Sequence, residues 1–167
     1  RDTPSCLPPL KKETDTAARK DLAKWPIGDS NPLTARVTVN RLWQQLFGLR
    51  LVQTPEDVGL QGAYPSYPPL LDWLACEFVE SGWDVKSLCK TIVMSRTYRQ
   101  ASTMTAATVE QDPLNRWLAR GPRYRLDAET IRDQALSVSG LLDQEVGGPS
   151  VYPYHPEGLW LEINNRP

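Results

Sequence analysis

Histidine is nearly absent: His155 stands alone in 167 residues. A Ser-His-Asp triad or a multi-histidine metal site would have to be built around that one imidazole. It lies between Pro153 and Pro156, where an exposed loop position is expected. Cysteine is scarce too, and Cys6, Cys76 and Cys89 form no C-x-x-C pair. A zinc ribbon, a thioredoxin-type dithiol and covalent c-type haem attachment all lack their ligands. One disulfide with a leftover thiol, or three free thiols, both stay open; Cys76 and Cys89 fall at apolar helix positions. No run of about 20 apolar residues exists to cross a bilayer. Net charge is also small, at −1, so bulk electrostatics favour neither nucleic acid nor an anionic membrane surface. No secretory signal opens the chain, although residue 1 need not begin the gene product. P-loop, G-x-G-x-x-G, G-x-S-x-G and H-E-x-x-H patterns are missing, which removes the usual nucleotide, hydrolase and zincin readings. No metal and no cofactor are expected.

Proline, by contrast, is plentiful at 15 residues, and it punctuates a helical pattern. Residues 1–13 read as an extended lead-in; Thr14 or Thr16 caps a short helix that stops at Trp25, before Pro26. Asn31, then Pro32 at the first helical position, opens a helix over 32–47, and Gly48 closes it. Leu33, Val37, Leu46 and Phe47, with Leu42 and Trp43 between, form its apolar stripe. Residues 49–66 form a long loop with a short extended piece at Leu51–Gln53. Ser66 caps a helix that turns Leu70, Leu71, Leu74, Phe78 and Val79 inward and ends at Gly82. Asp84 caps the next, with Val85, Leu88, Ile92 and Val93 inward. The short link makes these two an antiparallel hairpin. Residues 103–111 read as a surface excursion. Asp112-Pro113 starts a short helix through Leu118 or Ala119, and RYRL is extended. Asp127 caps a last long helix with Ile131, Ala135, Val138 and Leu142 inward, ended by Gly147-Gly148-Pro149. The whole predicts an all-α fold: an irregular bundle of four to five helices with long Pro-rich loops. Its organisation is a lead-in and short helix over 1–30, a helical domain over 31–146 and an irregular aromatic tail over 147–167.

Charge is segregated along this pattern. Residues 51–85 hold six acids and no base; residues 86–126 hold eight bases against Glu110 and Asp112. The blocks are expected to neutralise each other within the fold. The competing reading is an arginine-lined cleft for a phosphate, sulfate or uronate group. Its candidates are Arg36, Asn40, Arg41, Tyr98, Arg99, Arg125, Glu129, Arg132 and Asp133. Arg36 and Asn40, like Glu129 and Asp133, stand one helical turn apart. Glu56-Asp57 in the long loop and Glu129 with Asp133 on a helix are open to acid–base work, although sequence fixes no separation across a cleft. Trp43, Trp73, Trp83 and Phe78 read as core. Tyr64, Tyr152, Tyr154 and Trp160 lie in loops, where a ring can stack on a sugar or fill a partner's pocket.

Several blocks also resemble a known family. NPLTARVTVNRLWQQLFG over Asn31–Gly48 is similar to the leading signature of a large group of planctomycete proteins, domain of unknown function 1553. Residues 70–88, 91–102, 112–136 and 147–154 match its later blocks in order. The resemblance implies an exported, extracytoplasmic, multidomain protein with a cytochrome c-like module as neighbour. It supplies no activity and no catalytic residue. It also implies that the family domain continues beyond residue 167, so a missing C-terminal half is an expected partner. Gln44 or Gln45, Tyr67 and Cys89 stand where relatives often carry histidine, which speaks against a haem or metal role here. The reading that results is a non-catalytic helical interaction module, with an acidic or sulfated polysaccharide as the alternative ligand.

Overall fold

The computed structural model describes residues 7–12, 18–28, 31–57, 61–149, 154 and 157–158. Among them stand seven helices and no strand, as an all-α fold requires. They fall in two compact units, Arg1–Arg125 and Leu126–Pro167. Cys6, Thr14, Thr16, Tyr152, His155 and Trp160 lie outside the described residues, so the expectations placed on them go no further.

In the first unit, α1 is short, Arg19–Lys24, with Trp25 as its C-cap; Trp25 keeps helical dihedrals (φ −63°, ψ −44°), so the stop reflects the N–H that Pro26 lacks and not an extended residue before it. The Trp25 indole N–H donates to the Pro8 carbonyl at 2.7 Å, which ties the lead-in to this helix. Helix α2 spans Leu33–Phe47. The Asn31 side-chain oxygen accepts the Leu33 N–H at 3.0 Å, and Pro32 already has helical dihedrals, so the expected start signal is realised. The buried stripe is Ala35, Val39, Asn40, Trp43 and Phe47, rotated from the one the sequence suggested: Leu33, Val37 and Leu46 are only half-buried. The two large rings decide the face. Trp43 and Phe47, one turn apart, stack with centroids 4.1 Å apart, and Tyr98 meets Phe47 edge-on. Such pairs add about 1 kcal/mol beyond the area they bury.

Helices α3 (Pro68–Glu80) and α4 (Val85–Met94) form the predicted hairpin. Ser66 does not cap α3. The N-cap position belongs to Tyr67, and the Ser66 N–H instead bonds the Leu51 carbonyl at 2.8 Å, closing the base of the 51–66 loop. Helix α3 ends in a Schellman turn. Trp83 N–H reaches the Phe78 carbonyl and Gly82 N–H the Val79 carbonyl, both at 2.9 Å, with Gly82 at φ 73°. Trp83 folds back edge-on against Phe78, the apolar contact that accompanies this motif. Asp84 then caps α4 by accepting the Ser87 N–H at 3.0 Å. Leu71, Leu74 and Phe78 of α3, Leu88 and Ile92 of α4, and Leu51 and Val52 of the loop join α2 in one core. Trp73 of α3 and Val85, the first residue of α4, are exposed although expected inside; for Trp73 the reason is that α2 and α4 cover only part of the surface around α3. Cys76 is an exposed free thiol and Cys89 a half-buried one, so neither is the fully apolar position the sequence suggested.

After α5 (Arg96–Arg99) the chain departs further from expectation. The assumed excursion holds helix α6, Ala106–Gln111, capped by Thr105. Residues 113–118, read as helix, are turns. The Asp112 carboxylate accepts the N–H groups of Arg116 and Trp117 at 2.8 Å each. Asn115 and Leu118 have φ of 52° and 55°, which no α-helix accommodates.

In the second unit, α7 runs Ala128–Val138 and buries none of its residues; Ile131, Ala135 and Val138 are exposed rather than inward. It stops four residues earlier than the apolar pattern suggests, since Leu141 N–H bonds the Leu136 carbonyl and Gly140 N–H that of Ser137.

Candidate functional site

Of the nine sequence-derived candidates, six lie in the first unit and Glu129, Arg132 and Asp133 in the second. Among the six of the first unit, no side-chain hydrogen bond, ion pair or ring contact joins any two. Arg36 pairs with Asp72 of α3 at 2.6 Å and donates to the Pro32 carbonyl, an exposed clamp between α2 and α3. Asn40 is 3% exposed. Its amide donates to the Val52 carbonyl at 3.0 Å and accepts the Val52 N–H at 2.9 Å, so it substitutes for a strand neighbour and pins the loop to α2. Tyr98 packs on Phe47. Arg41, Arg99 and Arg125 are exposed, and Glu129, Arg132 and Asp133 are exposed on α7 of the second unit.

The expected cancellation of the two charge blocks takes a different form. Asp72 of the acidic block meets Arg36, which lies outside the basic block, and Asp84 is engaged as a helix cap. Arg120 of the basic block is 7% exposed, yet its guanidinium meets carbonyls rather than a carboxylate. It donates to Asp112 O and Pro113 O at 2.9 Å each and to Thr108 O at 3.4 Å, all just past or at the C-terminus of α6. A cation there complements the helix dipole. Asp112, also buried, answers with its two amide contacts in the following turn. Arg120 and Asp112 are thus each stabilised by peptide groups within a dozen residues.

That same loop, which the sequence reading passed over, makes the most structured surface feature of the first unit. Asn115 closes it from both ends, accepting Arg120 N–H at 3.2 Å and donating to Arg120 O at 2.9 Å. Gln100 donates to Leu118 O, Gly121 N–H to Ala101 O, and Tyr67 Oη to Trp117 O at 3.0 Å. A Cβ at position 121 would run into the Gln100 carbonyl oxygen, so only glycine fits. The backbone of Trp117 is therefore fixed at its N–H and at its C=O while its indole remains 68% exposed. Two hollows flank the loop and share Pro113 and Leu114. The larger, about 410 Å³, adds Tyr64, Ser66, Gln111, Arg116 and Trp117. The smaller, about 300 Å³, adds Phe47, Met104, Arg123 and Tyr124. None of the nine sequence-derived candidates lines either one. The sequence does hold a signal for this loop: Asp112 and Asn115 are turn-forming residues, and Gly121-Pro122 punctuates its end.

No group of three or more His, Cys, Asp or Glu residues able to hold a metal occurs among the described residues, and none of their helices is long and apolar enough to cross a membrane. A family model described as PSD1, protein of unknown function (DUF1553), matches residues 18–166. No curated protein and no solved structure matches the chain.

Proposed function

We propose that this chain, which belongs to the PSD1 family of proteins of unknown function (DUF1553), is a non-catalytic helical interaction module of a larger exported protein. One observation carries the reading. In the first unit, the side chains best suited to chemistry by burial and polarity are engaged by the backbone: Asn40 by Val52, Asp112 by two amides, Arg120 by three carbonyls. Side chains buried and held by the backbone in this way serve the fold and are not presented to a reacting atom. What the fold offers outward instead is an exposed apolar surface of Tyr64, Leu114 and Trp117. The extracytoplasmic setting, and docking to the remainder of the family domain or to a cytochrome c-like module, come from the family resemblance and belong to the same proposal.

The test is a panel of chromogenic glycosides, esters and phosphate esters, run beside sedimentation of the chain with a co-expressed cytochrome c-like module of the same polypeptide. A module gives no turnover above buffer and a saturable complex. Turnover abolished by Glu129→Gln or Asp133→Asn refutes it.

A further inference from the structure

We propose that the paired hollows astride Leu114 form a binding groove for a strand of acidic polysaccharide, one bearing uronate or sulfate groups. This rests on reading the chain as a binder, and it names the ligand and a site other than the arginine cleft sought in the sequence.

The first observation is display. Tyr64 is 81% exposed and Trp117 68%, and Leu114 between the hollows is exposed as well. Trp117 is a large ring left in water on a backbone held at its N–H and C=O, so its main chain is ordered before binding. Two left-handed non-glycine residues, Asn115 and Leu118, sit in the same loop. Each costs on the order of 1–2 kcal/mol, and the surrounding hydrogen bonds maintain them.

Charge is the second. Arg116 lines the larger hollow and Arg123 the smaller; both are exposed, and neither meets a carboxylate. Arg123 has only the Met104 sulfur at 3.9 Å. The acid in the lining, Asp112, is buried and faces amides. Each hollow therefore combines aromatic surface with an available guanidinium and presents no exposed carboxylate. A guanidinium fork suits carboxylate and sulfate oxygens, and the rings suit the apolar faces of pyranoses.

The third observation selects a glycan over a peptide. Main-chain recognition needs free backbone donors and acceptors. In residues 112–121 the amides of 115–118, 120 and 121 and the carbonyls of 112, 113, 115, 117, 118 and 120 are already paired within the unit. Leu114 and Ala119 alone in this stretch keep both main-chain groups open, too few for a strand ladder, so recognition falls mainly to ring faces and charged side chains on both sides of Leu114, which suits a polymer of rings with acidic substituents.

Calorimetric titration of the 167-residue chain with oligogalacturonate and with chondroitin sulfate oligosaccharides, at low ionic strength, tests this. Neutral cello-oligosaccharides and an acidic proline-rich peptide serve as controls. The expected result is saturable binding to an acidic glycan that weakens with salt. Trp117→Ala should lower affinity about tenfold or more, as for a central aromatic anchor. Arg116→Gln with Arg123→Gln should erase the preference for acidic over neutral glycan. These side chains are exposed, so thermal melting should stay unchanged and report that each variant folds. No binding to either acidic glycan, or full affinity in Trp117→Ala, overturns the proposal. Binding of the peptide alone overturns the ligand class and leaves the binding module standing. Cleavage of the glycan overturns the non-catalytic reading instead.

Discussion

Replacing Asn40 by alanine tests whether this side chain is a structural clamp or an available ligand group. Asn40 and Val52 are 3% and 2% exposed, and two hydrogen bonds of 3.0 and 2.9 Å join them. Alanine leaves the Val52 N–H and C=O buried without partners. Each orphaned group costs about 1–3 kcal/mol, so the pair should cost about 3 kcal/mol once partial relaxation is allowed. With a urea dependence of about 2 kcal/mol per molar for a unit of this size, the midpoint should fall by about 1.5 M. Circular dichroism and the fluorescence of buried Trp43 both follow the transition. Asn40→Asp should be no better: it still accepts the Val52 N–H but turns a charged oxygen toward the Val52 carbonyl. A midpoint shift below about 0.3 M, the range of an ordinary surface substitution, would refute the reasoning. Asn40 would then be dispensable to the fold, and its candidacy as a ligand group would return.

Other expectations follow from the same geometry. Arg120→Met leaves the Pro113 carbonyl without its partner, while Thr108 O and Asp112 O keep the N–H groups of Asp112 and Asn115, and should lower stability by about 2 kcal/mol; Arg120→Lys should recover only part of this, because an ammonium lacks the planar fork, and thermal melting separates the two. Gly48 and Gly82 share φ near 72°, but a Cβ at 48 would lie 2.7 Å from the Tyr124 ring while one at 82 meets nothing within 4 Å. Gly82→Ala should therefore cost about 1 kcal/mol and Gly48→Ala at least twice that, measured by chemical denaturation. Arg36→Gln should change stability by less than about 1 kcal/mol, since Asp72 is half exposed and solvent screens the pair; a larger loss in a double-mutant cycle with Asp72→Asn would contradict this.

Where an interaction closes within a few residues, the sequence was sufficient. Asn31 with Pro32, Gly82 after α3 and Asp84 before α4 each act on backbone groups two to five positions away, so the residue type and its spacing contain the physics. The α3–α4 hairpin and the all-α class followed from such signals. The Asp112 turn lay within the same range and was misread, because Asp-Pro opens a helix and a turn with equal ease until Asn115 and Leu118 take left-handed dihedrals. Tyr64 was legible as a loop aromatic, but its neighbour Trp117 was not.

Residue order alone therefore determined where α2 and α4 begin and where α3 ends, and that no histidine, thiol or nucleotide motif was available for familiar chemistry. Packing decided the rest. The Trp43–Phe47 stack chose which face of α2 turned inward, and long-range approach delivered Val52 to Asn40 and the Tyr67 hydroxyl to Trp117. A polar side chain's role depends on which peptide groups arrive beside it, and that is set by how distant elements share the core, a global optimum of burial that no local spacing encodes.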